Sequence, residues 1–196
     1  KGNGASQLPK SKSNSYNSDG SANWGQQHNA RFGCYLDALR GMIVDESEAV
    51  EIPGAVDLIF TAYKGTGVYY LFTPNFAHEG SMADAVWGSA TTDNPVKSWK
   101  EVNETEVAET NITASGFYAI QNNNQLNSAV SKAKNWSGYV QIDNRLDNKV
   151  FALRVHLDNR KLFALILVQE HIGTDGSNGY LKIRIKVTGV DLNKDG

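Results

Sequence analysis

The strongest hydrophobic pattern lies near the end of the chain, where three strand-like runs follow one another: Val150–Leu157, Leu162–Ile172 and Tyr180–Val187. In Leu162–Val168 both side-chain parities are apolar, so a period-two strand has no face that prefers water and is predicted to be central and covered on both sides. Leu181, Ile183, Ile185 and Val187 instead alternate with Lys182, Arg184 and Lys186, the pattern of a strand buried on one face only. Asp158–Lys161 is short and rich in residues that tolerate turns, which predicts an antiparallel hairpin. Gly173–Gly179 reads as a longer turn of the same chemistry, and Tyr139–Ile142 as a further strand upstream. The expectation is an antiparallel C-terminal meander.

Further back, Ala30–Leu39 and Arg40–Val44 read as strands. The acidic segment Asp45–Val50 suits a helix first turn, and Pro53-Gly54 ends it. Val56–Tyr63 and Val68–Thr73, joined by Lys64–Gly67, form a second hairpin signal. Between Pro74 and Lys134 the strand signal fades into short helical patterns at Met82–Trp87, Pro95–Val102 and Phe117–Lys134, the last weakened by Asn122–Asn124. The predicted class is α+β: one antiparallel β-rich domain over residues 29–190, with short helices in its middle and the strand meander at its C-terminus.

A chain of 196 residues with 40% hydrophobic content is long enough for one ordinary core. A net charge of -2 provides no large single-sign field, which argues against nucleic acid as a partner. Cys34 is the single cysteine, so an intramolecular disulfide framework and a multi-cysteine metal site are excluded. No apolar run approaches the roughly 18 residues of a membrane span, so no transmembrane segment is expected. Residues 1–28 are dominated by Ser, Asn, Gly, Lys and Gln and read as a polar tether, with Trp24 as the residue best able to anchor it; this composition favours export over an intracellular linker. Residues 191–196 read as a C-terminal tail.

The order of a strand, a short acidic helix and the apolar run Val56-Asp57-Leu58-Ile59-Phe60, closing with Lys161–Val168 and Gly179–Val187, resembles secreted surface lipoproteins of Bacteroidetes bacteria over roughly Asn29–Thr188. The resemblance implies location at the outer surface or in the periplasm, with tethering through the N-terminal segment and a lipid anchor upstream. It implies no activity that can be carried over residue by residue.

Candidate chemistry is sparse. Asp191–Gly196 matches the first half of a calcium loop but lacks the closing glutamate, so a solvated tail is the preferred account and no metal is expected. His78-Glu79, with Asp84 nearby, has no second histidine at ligand spacing, and His28, His156 and His171 are scattered. A carboxylate pair formed only by the fold, such as Asp57 with Glu170, would be needed for hydrolysis. Lys182, Arg184 and Lys186, with Arg154 alongside, form a basic stripe that fits a solvated or edge-protecting face better than an anionic-polymer site. Trp87, Trp99 and Trp136 lie in the least regular region among Asn, Thr and Gly, where an exposed indole could stack on a sugar; core packing is the competing account at each.

The expectation is therefore a non-catalytic exported surface protein that needs no cofactor and binds a carbohydrate or another cell-surface component through Trp87, Trp99 or Trp136. The alternatives are a small hydrolase acting on polysaccharide or cell-wall material and a structural or assembly module.

Overall fold

The computed structural model describes residues 15–29, 31–63, 66–87, 94–157, 159–173 and 178–191. Its strands are β1 (Ala22–Gly25), β2 (Tyr35–Asp37), β3 (Met42–Val44), β4 (Leu58–Tyr63), β5 (Val68–Phe72), β6 (Thr105–Glu109), β7 (Tyr139–Asp143), β8 (Val150–His156), β9 (Arg160–Ile172) and β10 (Tyr180–Asp191). The helices are α1 (Glu46–Ala49), α2 (Pro74–Glu79), α3 (Ser81–Trp87), α4 (Ala114–Ala119) and α5 (Asn123–Ser131). The fold is α+β and β-rich, as the periodicity predicts. Two five-stranded antiparallel sheets run in the orders β1-β10-β9-β8-β6 and β3-β2-β4-β5-β7.

Three apolar layers explain the alternation of side chains. The inner faces of both sheets meet in a core that includes Phe60, Leu71, Phe151, Leu162, Ile166 and Ile183. The outer face of the second sheet, through Tyr35, Ile59 and Phe72, packs beneath Ala49, Ala77, Val86 and Trp99. The outer face of the first sheet, through Val150, Ala152, Leu165 and Leu167, packs beneath Phe117 of α4 and Leu126 and Val130 of α5. β9 lies between β10 and β8 with both faces covered, which is why neither of its parities carries polar residues through Leu162–Val168.

The helices are short and held by local caps. Asp45 and Glu48 form a reciprocal capping box on α1, Thr73 caps α2 with Pro74 in its first turn, and Asn122 caps α5. The long helical pattern at Phe117–Lys134 is thus split into α4 and α5 at Ile120–Asn122.

Several expectations change in the tertiary structure. Tyr139–Asp143 does not join the C-terminal meander; as β7 it pairs with β5 in the opposite sheet. The polar segment 1–28 contributes Ala22–Gly25 as β1 beside β10, with Trp24 fully buried and its indole N–H donating to the Cys34 carbonyl at 2.7 Å. The basic stripe does not form a charged field: Lys182 and Arg184 both engage Asp19, and Lys186 is buried, bonded to the Ile120 carbonyl with its ammonium over the Phe117 ring.

A β-bulge redirects the end of β9. Lys182 pairs with Glu170 but Ile183 pairs with Val168, so Gln169 is the extra residue and the parity reverses beyond it. His171 therefore faces the core, fully buried, with Tyr69 edge-on at 4.4 Å, while Glu170 is exposed.

Candidate functional site

The arrangement that best presents side chains to a ligand runs along β6, an edge strand of the first sheet. On one side β6 pairs with β8; on the other, Val107 and Ser137 exchange main-chain hydrogen bonds of 2.9 and 3.0 Å. That bridge seats Trp136 beside the middle of the strand. Asn135, at φ 59°, turns the chain into this position. The Trp136 indole N–H donates to the Ala133 carbonyl at 3.2 Å, and the Arg154 guanidinium covers the ring at 4.3 Å from its centroid. Arg154 in turn donates to Glu106 at 2.6 Å, its cross-strand partner. The half-buried Trp136 is thus held in one orientation by its neighbours.

Polar hollows lie at the two ends of β6, about 13 Å apart along the strand. At the Thr105 end a hollow of about 290 Å³ is formed by Asn75 and Glu79 of α2, by Glu104–Glu106, and by Arg154 and His156 of β8. Asn75 accepts the Thr105 N–H at 3.2 Å, and His156 packs edge-on against Phe163 at 5.2 Å. At the Glu109 end a hollow of about 430 Å³ lies between Thr110–Ile112 and Lys132–Asn135. Amide, carboxylate, ammonium and hydroxyl groups flanking an aromatic ridge are the complement of a ligand with many hydroxyls and apolar ring faces.

The other two tryptophans are placed differently. Trp87 is 4% exposed and Trp99 is 5% exposed, both within the apolar layer between the second sheet and its helices. Trp99 packs against Tyr35 at 5.4 Å. Trp87 also borders a pocket of about 360 Å³ lined by Gln26–Asn29 and Arg31–Tyr35 among others. Neither presents an open ring face, so of the three only Trp136 stands at the surface as a ridge.

The structure does not bring Asp57 and Glu170 together. Asp57 is fully buried and takes hydrogen bonds from Arg160 Nε at 3.1 Å and Nη2 at 2.8 Å, from the Ala38 N–H at 2.8 Å and from Asn103 at 3.0 Å. Arg160 opens β9, and Glu170 stands about 30 Å further along the same strand. The carboxylate that actually neighbours Asp57 is Asp37, which shares Arg160 at 3.2 Å and also pairs with Arg40 at 3.0 Å. Burial pushes the Asp57 carboxyl up to about 6, opposed by the charge and hydrogen bonds of Arg160. This network joins β2, β4 and β9 inside the molecule and has a structural role.

His78 and Glu79 lie on α2, and Asp84 of α3 pairs with Lys97. Among the described residues, no group of three or more metal-ligating side chains converges. The half calcium loop lies, apart from the Asp191 backbone, outside the described residues, as do residues 1–14 of the polar leader. Among the described residues, no helix is long and apolar enough to cross a membrane.

Sequence reasoning missed Asn75, Glu104, Thr105 and Glu106 because it did not identify β6. The available signal was weak: Val107 and Ala108 are the only apolar residues of that strand, and Glu106 and Glu109 interrupt its pattern. Comparison with protein-family models, with curated proteins and with solved structures finds no match.

Proposed function

We propose that this chain is an exported surface protein that binds a glycan without transforming it, with Trp136 and the hollows at either end of β6 as the contact surface. The observation that carries this reading is the position of Trp136: a half-buried indole, fixed by Arg154 and Ala133, between two polar hollows. A sugar ring stacked on such a ridge places its hydroxyls within reach of the Asn, Glu and Lys side chains on both sides. Export and surface tethering rest on the composition of residues 1–28 and on the resemblance to surface lipoproteins.

A glycan array followed by calorimetry tests the reading. Trp136→Ala is expected to weaken any hit at least tenfold while the thermal midpoint stays within a few degrees of wild type, because this indole is only half-buried at the margin of the layer beneath α4 and α5. Unchanged affinity, or loss of binding only together with the fold, refutes the assignment. A hydrolase remains the second reading because the fold brings Glu79 and Glu104, from separate elements, to one hollow; release of reducing ends from an array hit, abolished by Glu79→Gln, would favour it.

A further inference from the structure

The bulge at Gln169 leaves a titratable ring in the core with only half of its hydrogen bonding fulfilled. His171 is fully buried, and its Nδ1 accepts the Leu146 N–H at 3.4 Å. An imidazole nitrogen that accepts carries no proton, so the single proton of the neutral ring sits on Nε2. Nε2 has no hydrogen-bond partner among the described residues. Phe60 of β4 and Tyr69 of β5 pack edge-on against the ring at 6.1 and 4.4 Å, and the apolar Leu181 opposes it on β10. Tyr69 is thus the titratable group that faces it from the second sheet, while Glu170, its neighbour on β9, is exposed. The charged groups beside it are Arg145 and Asp147, both in the turn between β7 and β8. Arg145 donates to the His171 carbonyl, and Asp147 accepts the His171 N–H at 2.9 Å and pairs with Arg145 at 2.7 Å.

That turn hangs largely from His171. Asn144 and Asn148, at φ 73° and 62°, mark its two ends, and Leu146 between them is fully buried. Its further main-chain ties to the sheets are the Asn144 N–H to the Gly67 carbonyl and the Asn148 N–H to the Val168 carbonyl. A second proton can enter the ring only at Nδ1, where it meets the Leu146 N–H donor against donor, and the new cation finds no acceptor in the core. β9 is covered on both faces and paired on both edges, so the turn is the weaker of the two elements. We propose that His171 and the turn at 144–148 form an acid-sensitive latch: protonation of the ring expels Leu146, and the turn opens while both sheets stay folded. In the open form the ring reaches water and titrates near its ordinary value of about 6.5, whereas burial in the closed form lowers it to about 4. The closed form therefore prevails above about 6.5 and gives way as pH falls toward 4.

The test is hydrogen exchange on the full chain, followed by NMR at pH 7 and pH 4.5 and read as protection factors, which remove the pH dependence of chemical exchange. The Leu146 and Asn148 amides are expected to lose about tenfold or more in protection relative to Leu165 and Ile166 of β9, at a midpoint that matches the titration of the His171 ring protons. His171→Asn, which keeps an acceptor near the Nδ1 position and takes up no proton in this range, should hold the protection of the turn constant between the two pH values. Equal loss in the turn and in β9 would show global unfolding and overturn the latch, as would a turn that stays protected while the ring titrates, or one that opens equally in His171→Asn. Should that variant fail to fold, the wild-type midpoints decide: opening at a pH distinct from the titration of the ring would assign it to another group and overturn the inference.

Discussion

Replacing Arg160 by Met tests the buried ionic network most directly. The substitution keeps much of the aliphatic volume but removes two hydrogen bonds to Asp57, one to Asp37 and one to the Ala55 carbonyl. Asp57 keeps the Ala38 N–H and Asn103, and Asp37 keeps Arg40, so neither carboxylate is stripped of partners. Both are nevertheless fully buried and lose their shared cation. Breaking one side of a buried ion pair costs about 3–5 kcal/mol, which for a domain of this length lowers the thermal midpoint by roughly 6–20 °C. The cost must depend on pH. With its folded value raised to about 6, above the usual range near 3.9, Asp57 contributes stability that is fully present below the unfolded value and is lost as pH rises through 6. Without Arg160 nothing comparable opposes burial, so the loss extends to higher pH and the penalty is larger at pH 8 than at pH 4.5. Urea denaturation of both proteins at these pH values, followed by tryptophan fluorescence, measures the difference. A cost below about 1 kcal/mol at pH 8, or a cost that grows on acidification, would refute this account. Neutralising both carboxylates in the Arg160→Met background, as Asp37→Asn with Asp57→Asn, should recover part of the loss.

Ile166→Ala and Leu167→Ala, on opposite faces of the doubly covered β9, should each destabilise by about 2–5 kcal/mol in chemical denaturation; an unchanged midpoint for either would contradict coverage on that face. Burial lowers the His171 imidazole to about 4, so its contribution is present above about 6.5 and is lost as pH falls toward 4, by at most about 3 kcal/mol. His171→Leu should therefore lose less stability than wild type between pH 7 and pH 4.5, and an equal loss in the two proteins would show that another group governs acid sensitivity.

The sequence by itself determined the strand runs of the C-terminal region, the hairpin of β4 and β5 and the double coverage of β9. These are properties of side-chain period, and a strand with two apolar parities has to be covered twice wherever its neighbours lie. The sequence also located the short acidic helix, because Asp45 and Glu48 satisfy each other's backbone groups within one turn. What it left open depended on residues distant along the chain. β7 gives no local sign of which sheet it enters, since its side-chain period fits any antiparallel neighbour. β6 was hidden because Arg154 and Lys149, 48 and 40 residues away in sequence, compensate its Glu106 and Glu109. Unbroken alternation would put His171 on the face of Leu165 and Leu167, whereas the bulge at Gln169, visible only in the register with β10, turns it inward. The fates of the tryptophans were likewise tertiary: an indole is buried when a sheet face lies beneath it, as at Trp87 and Trp99, and becomes a surface ridge when it lies beside an edge strand, as at Trp136. Local period sets which residues share a face, and only the packing of one face on another decides which remain within reach of a ligand.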